Sequence, residues 1–295
     1  MSTKLKIAAA VAAAVLLSAC SSPKHEPMPL VKFTPSMEVT EVWSKGLSSA
    51  EGFLVPAVYD DMVFAAGGKT LTRLNARTGE TEWSVSFNSP ITGGVGSDGY
   101  VTAVGLWDGN LEVVDAEGKV SWEKKLTTEL ASPPVVSHGL VIARTMDTRV
   151  SAFEASSGEL QWTYQRSQPA LTVRLPTRML AHDNFLLVGQ PNGHIVILDI
   201  ASGKPMFEFQ VAQAKGVTEV ERLVDVVGAP AFSDNLVCAA AFQGAVTCVD
   251  STNGQTRWTQ KIDAVAGPAI DEDNVYAVSV NGEVQAFYRE SGEQR

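Results

Sequence analysis

Histidine and cysteine are scarce, at four and three residues in a chain of 295. No two histidines stand at ligand spacing and none has an evident carboxylate partner, which argues against a metal centre or histidine-based catalysis. The cysteines leave little material for a zinc or iron–sulfur framework. Positive charge is also short: 23 lysines and arginines face 33 acidic residues, a net charge of −10 with no basic cluster. Such a surface does not grip phosphate backbones, so nucleic acid is set aside as a partner. Long apolar runs are missing too. Ile7 to Leu17 is eleven residues, too short to span a bilayer. What the chain does have is 45% hydrophobic residues, enough for a substantial core and too many for a disordered coil.

That apolar run follows Lys4 and Lys6 and ends in Leu17-Ser18-Ala19-Cys20. A basic start and a short apolar centre make a secretory signal. The last four residues resemble the lipobox of bacterial lipoproteins, in which the cysteine is acylated and becomes the first mature residue. The resemblance implies a signal peptide over 1–19 and lipid on Cys20. With Ser21 following rather than Asp, it also implies sorting to the outer membrane. Removing Lys4 and Lys6 with the signal takes the net charge from −10 to −12. Residues 20–40 contain Pro23, Pro27, Pro29 and Pro35 and read as an extended tether. Acyl chains hold such a protein on a membrane without a transmembrane helix.

From 41 to 295 the chain repeats one unit: an apolar strand, an anchor residue, a glycine and an aromatic four residues after it. Asn75 to Gly79 with Trp83, Glu154 to Gly158 with Trp162, and Asp250 to Gly254 with Trp258 are full copies. Asp115 to Gly118 with Trp122 is one residue short, and Asp199 to Gly203 carries Phe207 in place of tryptophan. A sixth copy runs Tyr288 to Gly292. The anchors are separated by 40, 39, 45, 51 and 38 residues, the spacing of propeller blades. Each unit opens with a strand pair, as around His138-Gly139 and Asp273-Asn274. A second hairpin follows at Asp108-Gly109, Asn192-Gly193, Gln243-Gly244 and Asn281-Gly282. These pairs suit two-residue type I′ turns. The reading is therefore all-β: a propeller of four-stranded antiparallel blades, six of them readable. One aromatic per blade fills the gap between neighbouring sheets. Trp43, in a lone strand ahead of the first unit, is expected to complete the last blade and close the ring.

The repeats resemble PQQ-type propeller repeats and, together with the lipobox, the BamB family of outer-membrane protein assembly factors, from Glu41 to Arg295. The resemblance implies eight blades, so six copies with the last one incomplete read as a propeller truncated at its C-terminal side. It also implies a non-enzymatic scaffold on the periplasmic face of the outer membrane, without a cofactor. The implied partner is the central β-barrel subunit of the assembly machinery, bound through its periplasmic domains. Two stretches carry the resemblance most specifically. Ala170 to Arg174 is similar to the family's leucine–arginine loop, with Leu171, Val173 and Arg174 as partner-binding residues. Gly216 to Asp225 is similar to its second loop, with Glu219, Glu221, Arg222 and Asp225. Leu175 departs from the family pattern, which has glycine there.

Both stretches stand out without the family as well. They lengthen the anchor intervals to 45 and 51 residues, and both connect the last strand of one blade to the first strand of the next. Such connections leave the same end of a propeller, so the two loops are expected to be neighbours, and long loops on rigid repeats are where binding usually resides. Thr218 with Glu221 fits a capping box, with Val220, Leu223, Val224 and Val227 at helical spacing. Leu171 and Val173 alternate with polar residues and are expected to point together as anchors. Exposed sheet edges would also offer unfolded outer-membrane clients a strand to pair with.

Other chemistry reads weakly. Gly94 to Gly99 matches G-x-G-x-x-G but leads into a strand, not the helix a dinucleotide site needs. A periplasmic quinone-dependent dehydrogenase is the enzyme alternative, but such relatives carry an adjacent cysteine pair, whereas Cys238 and Cys248 are ten residues apart. With a two-residue turn at Gln243-Gly244, Cys238 faces Val249 and the two thiols stay free. A three-residue turn would place them opposite.

Overall fold

The computed structural model describes residues 32, 34–35, 37–49, 54–167, 169, 171–173 and 175–295. Cys20, His25 and Arg174 lie outside them. The described residues form a β-propeller of six consecutive antiparallel sheets. The first blade is β1 (Ala57–Tyr59), β2 (Met62–Gly67), β3 (Thr70–Asn75) and β4 (Thr81–Ser86). The second is β5 (Ile91–Ser97), β6 (Thr102–Leu106), β7 (Asn110–Val114) and β8 (Val120–Lys125). The third is β9 (Val135–Ser137), β10 (Leu140–Arg144), β11 (Val150–Glu154) and β12 (Leu160–Tyr164). The fourth is β13 (Leu180–His182), β14 (Phe185–Gln190), β15 (His194–Asp199) and β16 (Pro205–Gln210). The fifth is β17 (Val226–Ser233), β18 (Leu236–Ala241), β19 (Gly244–Asp250) and β20 (Thr256–Ile262). The sixth has three strands, β21 (Ala269–Ile270), β22 (Asn274–Val278) and β23 (Val284–Tyr288).

Burial follows strand position. Middle strands are covered on both faces by the neighbouring blades, so β6 and β18 are buried at every residue and read as continuous apolar runs. Outer strands alternate, as in β4 and β8, because one edge meets water. The first strands of successive blades touch in series from β1 through β5, β9, β13 and β17 to β21, which places them innermost. Each interface between blades holds its own apolar cluster; Ile142, Trp162, Leu186 and Leu198 belong to the one between the third and fourth.

The repeat motif explains how blades lock together. At the anchor, Asn75, Asp115, Asp199 and Asp250 accept backbone N–H bonds from the turn that follows, which fixes its shape. The turn's glycine takes a positive φ, and the preceding blade's indole lies flat on it. A Cβ on Gly158 (φ 71°) would sit 2.8 Å from Cδ2 of Trp122, so glycine is required twice over. Trp122 Nε1 then donates to the Ala155 carbonyl at 2.8 Å.

Three expectations are corrected. Trp43 does dock on the first blade, donating to Ala76 O at 2.9 Å and covering Gly79, but residues 38–49 form no strand and do not pair with β23. No extensive packing joins the sixth blade to the first among the described residues, and the edge of β23 meets Gln294 through Phe287. The ring is therefore not closed by the Trp43 segment.

The second correction concerns the four hairpins, which are all one residue longer than the expected two-residue turns. Gly105 faces Leu111, Gln190 faces His194, Ala240 faces Val246 and Val278 faces Val284. Gly109, Gly193 and Gly282, with φ near 80°, 73° and 80°, end three-residue loops rather than sitting inside two-residue ones. The third correction follows from the second: Cys238 lies directly opposite Cys248, and the two form a disulfide inside the fifth blade, not two free thiols.

Two outcomes follow. Without reductant, alkylation and mass spectrometry will find neither Cys238 nor Cys248 labelled, and replacing both by alanine will cost about 2–3 kcal/mol in urea unfolding, the worth of a short cross-linked loop. Asp250 is held at a pKa of about 2 by Thr252 first, then Arg257. A lowered carboxyl pKa adds stability above the unfolded value of roughly 4 and loses it as the pH falls through the folded value. The urea midpoints of wild type and Asp250→Asn will therefore stay apart at pH 7 and converge between about pH 4 and pH 2.

Candidate functional site

The two long loops enter the fourth and fifth blades side by side. Thr177 and Gly228 form a parallel bridge, Gly228 N donates to Pro176 O at 2.8 Å, and Arg178 N donates to Gly228 O at 3.0 Å. Asp225 ties them again: its carboxylate accepts the Val173 N–H on one oxygen and the Asn192 N–H, at 3.3 Å, on the other. Asp225 is buried at 7% exposure. Burial pushes its carboxyl upward, against the pull of both N–H groups and the Arg144 charge. Arg144, at the end of β10, reaches across from the third blade and donates to Thr177 Oγ1 at 3.2 Å. It is buried as well, and loss of water lowers its guanidinium to about 10.

Beneath the loops the inner strands leave a cavity of about 200 Å³, walled in part by Arg144, Val173, Leu175, Gln190 and Asp225. Ser132 Oγ, Arg144 Nε and both atoms of the Gln190 amide lie in residues of this wall without a protein partner. A polar cavity of this size has room for several waters, at roughly 30 Å³ each.

The structure sorts the predicted residues into three groups. Leu171 stands outward at 44% exposure, joined on the second loop by Val217 at 95% and Val220 at 60%. Glu219 and Arg222 are also on the surface, their charges 3.9 Å apart across one turn. Val173 and Asp225 face inward and hold the loops together, so Leu171 and Val173 do not project as one pair. Glu221 belongs to the turn itself. Its carboxylate accepts the Val217 and Thr218 N–H groups while its own N–H donates to Thr218 Oγ1. These bonds hold its carboxyl below the usual range. The capping box forms as read, but the chain makes only short i→i+3 bonds at Arg222 and Leu223 and does not continue as a helix. Arg144 and Gln190 were not singled out in the sequence, although each is a polar residue ending an otherwise apolar strand.

The sequence profile of the family described as outer membrane protein assembly factor BamB matches residues 67–295. The chain belongs to the BamB family. The BamB of Burkholderia pseudomallei is 38% identical over 256 residues, covering 85% of this chain and 67% of the relative. That of Bordetella pertussis is 33% identical, covering 94% of this chain and 74% of the relative. The crystal structure of BamB from Moraxella catarrhalis superposes with a TM-score of 0.76 at 29% identity, covering 82% of this chain and 74% of that one. The BamB relatives are named as assembly factors, not as enzymes.

The tie between the loops is open to a direct check. Asp225→Ala leaves two backbone N–H groups without their acceptor and will cost about 1–3 kcal/mol. Hydrogen exchange will speed up at Val173 and Asn192 and not at the distant Trp43 contact.

Proposed function

We propose that this chain is a non-enzymatic scaffold of outer-membrane β-barrel protein assembly, lipid-anchored through Cys20 on the periplasmic face. It acts by binding, and its target is the central barrel subunit of the machinery through that subunit's periplasmic domains. The observation that carries this reading is the loop pair: two long connections, tied to each other through Asp225 and Gly228, presenting Leu171, Val217 and Val220 outward. Ordering the loops in advance lowers the entropy cost of docking. Apolar side chains exposed on a braced surface are the anchors of such an interface. Glu219 and Arg222 border the patch with charge of both signs, which sets orientation more than affinity. Arg174, next to Val173 in the chain, brings a planar multi-donor cation suited to a partner carboxylate. The BamB relatives' role as outer membrane protein assembly factors supports the same reading. Unfolded barrel proteins are further clients, met at exposed sheet edges by β-augmentation.

Co-purification with the barrel subunit is the test. Leu171→Ala combined with Arg174→Ala will abolish it while urea unfolding stays near wild type, since each anchor is worth about 2 kcal/mol, roughly 30-fold in Kd. Tyr100→Ala, an apolar side chain more exposed than Leu171 but on the second blade, will co-purify normally. Wild-type recovery of the double variant would remove the loop pair as the docking surface.

A further inference from the structure

Five of the six interblade aromatics are tryptophans, and each donates its indole N–H to the residue just after the next unit's anchor. Trp43 bonds Ala76 O, Trp83 bonds Ala116 O, Trp122 bonds Ala155 O, Trp162 bonds Ile200 O and Trp258 bonds Arg289 O, at 2.8–2.9 Å. Between the fourth and fifth blades the aromatic is Phe207. Its ring tip covers Gly254 as the indoles cover their glycines, with Cζ 2.3 Å from where a Cβ would stand. It has no N–H for the carbonyl of Ser251, which occupies the equivalent position. The facing residue is also small. Trp122 and Trp258 meet Phe153 and Phe287 at about 6 Å. The corresponding residue in the fifth blade is Val249, and for Trp83 and Trp162 it is Val114 and Leu198, so only at this seam are both the indole and a facing ring missing.

The result is an open seam. A cleft of about 570 Å³ runs between the two blades, lined by Phe185, Leu187, Ile197, Phe207, Phe232 and Val249 among others. Phe207 is 40% exposed where Trp162 and Trp258 are 9% and 7%. Phe185 and Met206 stand exposed in the same lining. The carboxylates of Asp183 and Asp234 belong to it too and reach solvent. Asp183 lies 3.6 Å from His182 Nε2, Asp234 bonds Arg289, and the more buried Asp250 of the same lining is paired with Arg257.

We propose that this cleft is a docking site for a tryptophan side chain carried by a partner polypeptide with basic flanking residues. The chemistry is set by what this seam lacks beside the molecule's own repeats: Phe207 takes the ring's place over Gly254, but the second ring and the N–H donor that five indoles supply are missing. The cleft is larger than the step from a phenyl to an indole ring, so it takes a ring with part of its flanking chain. Its carboxylates favour positive neighbours. Tryptophan suits such a site because it buries a large apolar face and still has one directional donor. The site lies at the end of the two blades that carries the turns at Asp183, Asp234 and Ser251 to Gly254, and none of its lining residues belongs to the loop pair.

The probe is the peptide acetyl-Lys-Trp-Lys-amide, titrated calorimetrically into the full chain in detergent. We expect saturable binding, weakened about tenfold or more when the indole nitrogen is methylated or the lysines become glutamates. Phe207→Trp will fill the seam from within: the variant will unfold at higher urea and bind the peptide at least about tenfold more weakly. Val249→Phe narrows the cleft from the other side and gives the same loss of binding if the first variant folds poorly. Absent saturation, equal affinity for the methylated peptide, or undiminished binding by both variants would each overturn the proposal.

Discussion

The hydrogen bond from an indole to the next blade's anchor turn is the contact on which this architecture rests. It fixes distance and angle between sheets that are otherwise held by apolar packing, which has no direction of its own. It also sets requirements on both sides. The receiving turn must hold its carbonyl still, which the Asx-type bonds at Asn75, Asp115 and Asp199 achieve. The ring must lie against bare backbone, which is why glycine recurs at a positive φ beneath it. Where the aromatic is buried, as at Trp162 and Trp258, truncation to alanine typically costs about 3–5 kcal/mol, so those two interfaces are strong by themselves.

The loop pair uses different physics. Its apolar tips are displayed, not buried, and its order comes from a carboxylate taken out of water. Asp225 is tolerated inside because two backbone N–H groups converge on it and the Arg144 charge lies nearby. A buried carboxylate with matched donors specifies one arrangement of the loops, since any other leaves it unpaired. The recognition surface is therefore built from inside the propeller outward.

Much of this was legible in the sequence. The blade count came from the anchor spacing, the neighbouring loops from the intervals of 45 and 51, and the Thr218–Glu221 box from its residue types. What was not legible depends on single-residue differences in geometry or on contacts distant in sequence. The sequence Gln243-Gly244 is compatible with a two- or a three-residue loop, and only the register of β18 against β19 shows that Cys238 meets Cys248. Asp225 reads as one more acidic surface residue until the fold places Val173 and Asn192 around it. The lone Trp43 looked like a closing strand because its packing motif is intact, yet the motif records which blade it rests on and not which strand it pairs with.

The seam between the fourth and fifth blades has unequal edges. Near the axis it is stitched by the backbone bonds at Pro176, Arg178 and Gly228 and by the Asp225 carboxylate. At the rim it lacks both an indole and a facing ring. Two plates joined firmly along one side and weakly along the other behave as a hinged book. Among the seams described, this is the one where opening at the rim breaks no indole bond and only separates apolar contacts.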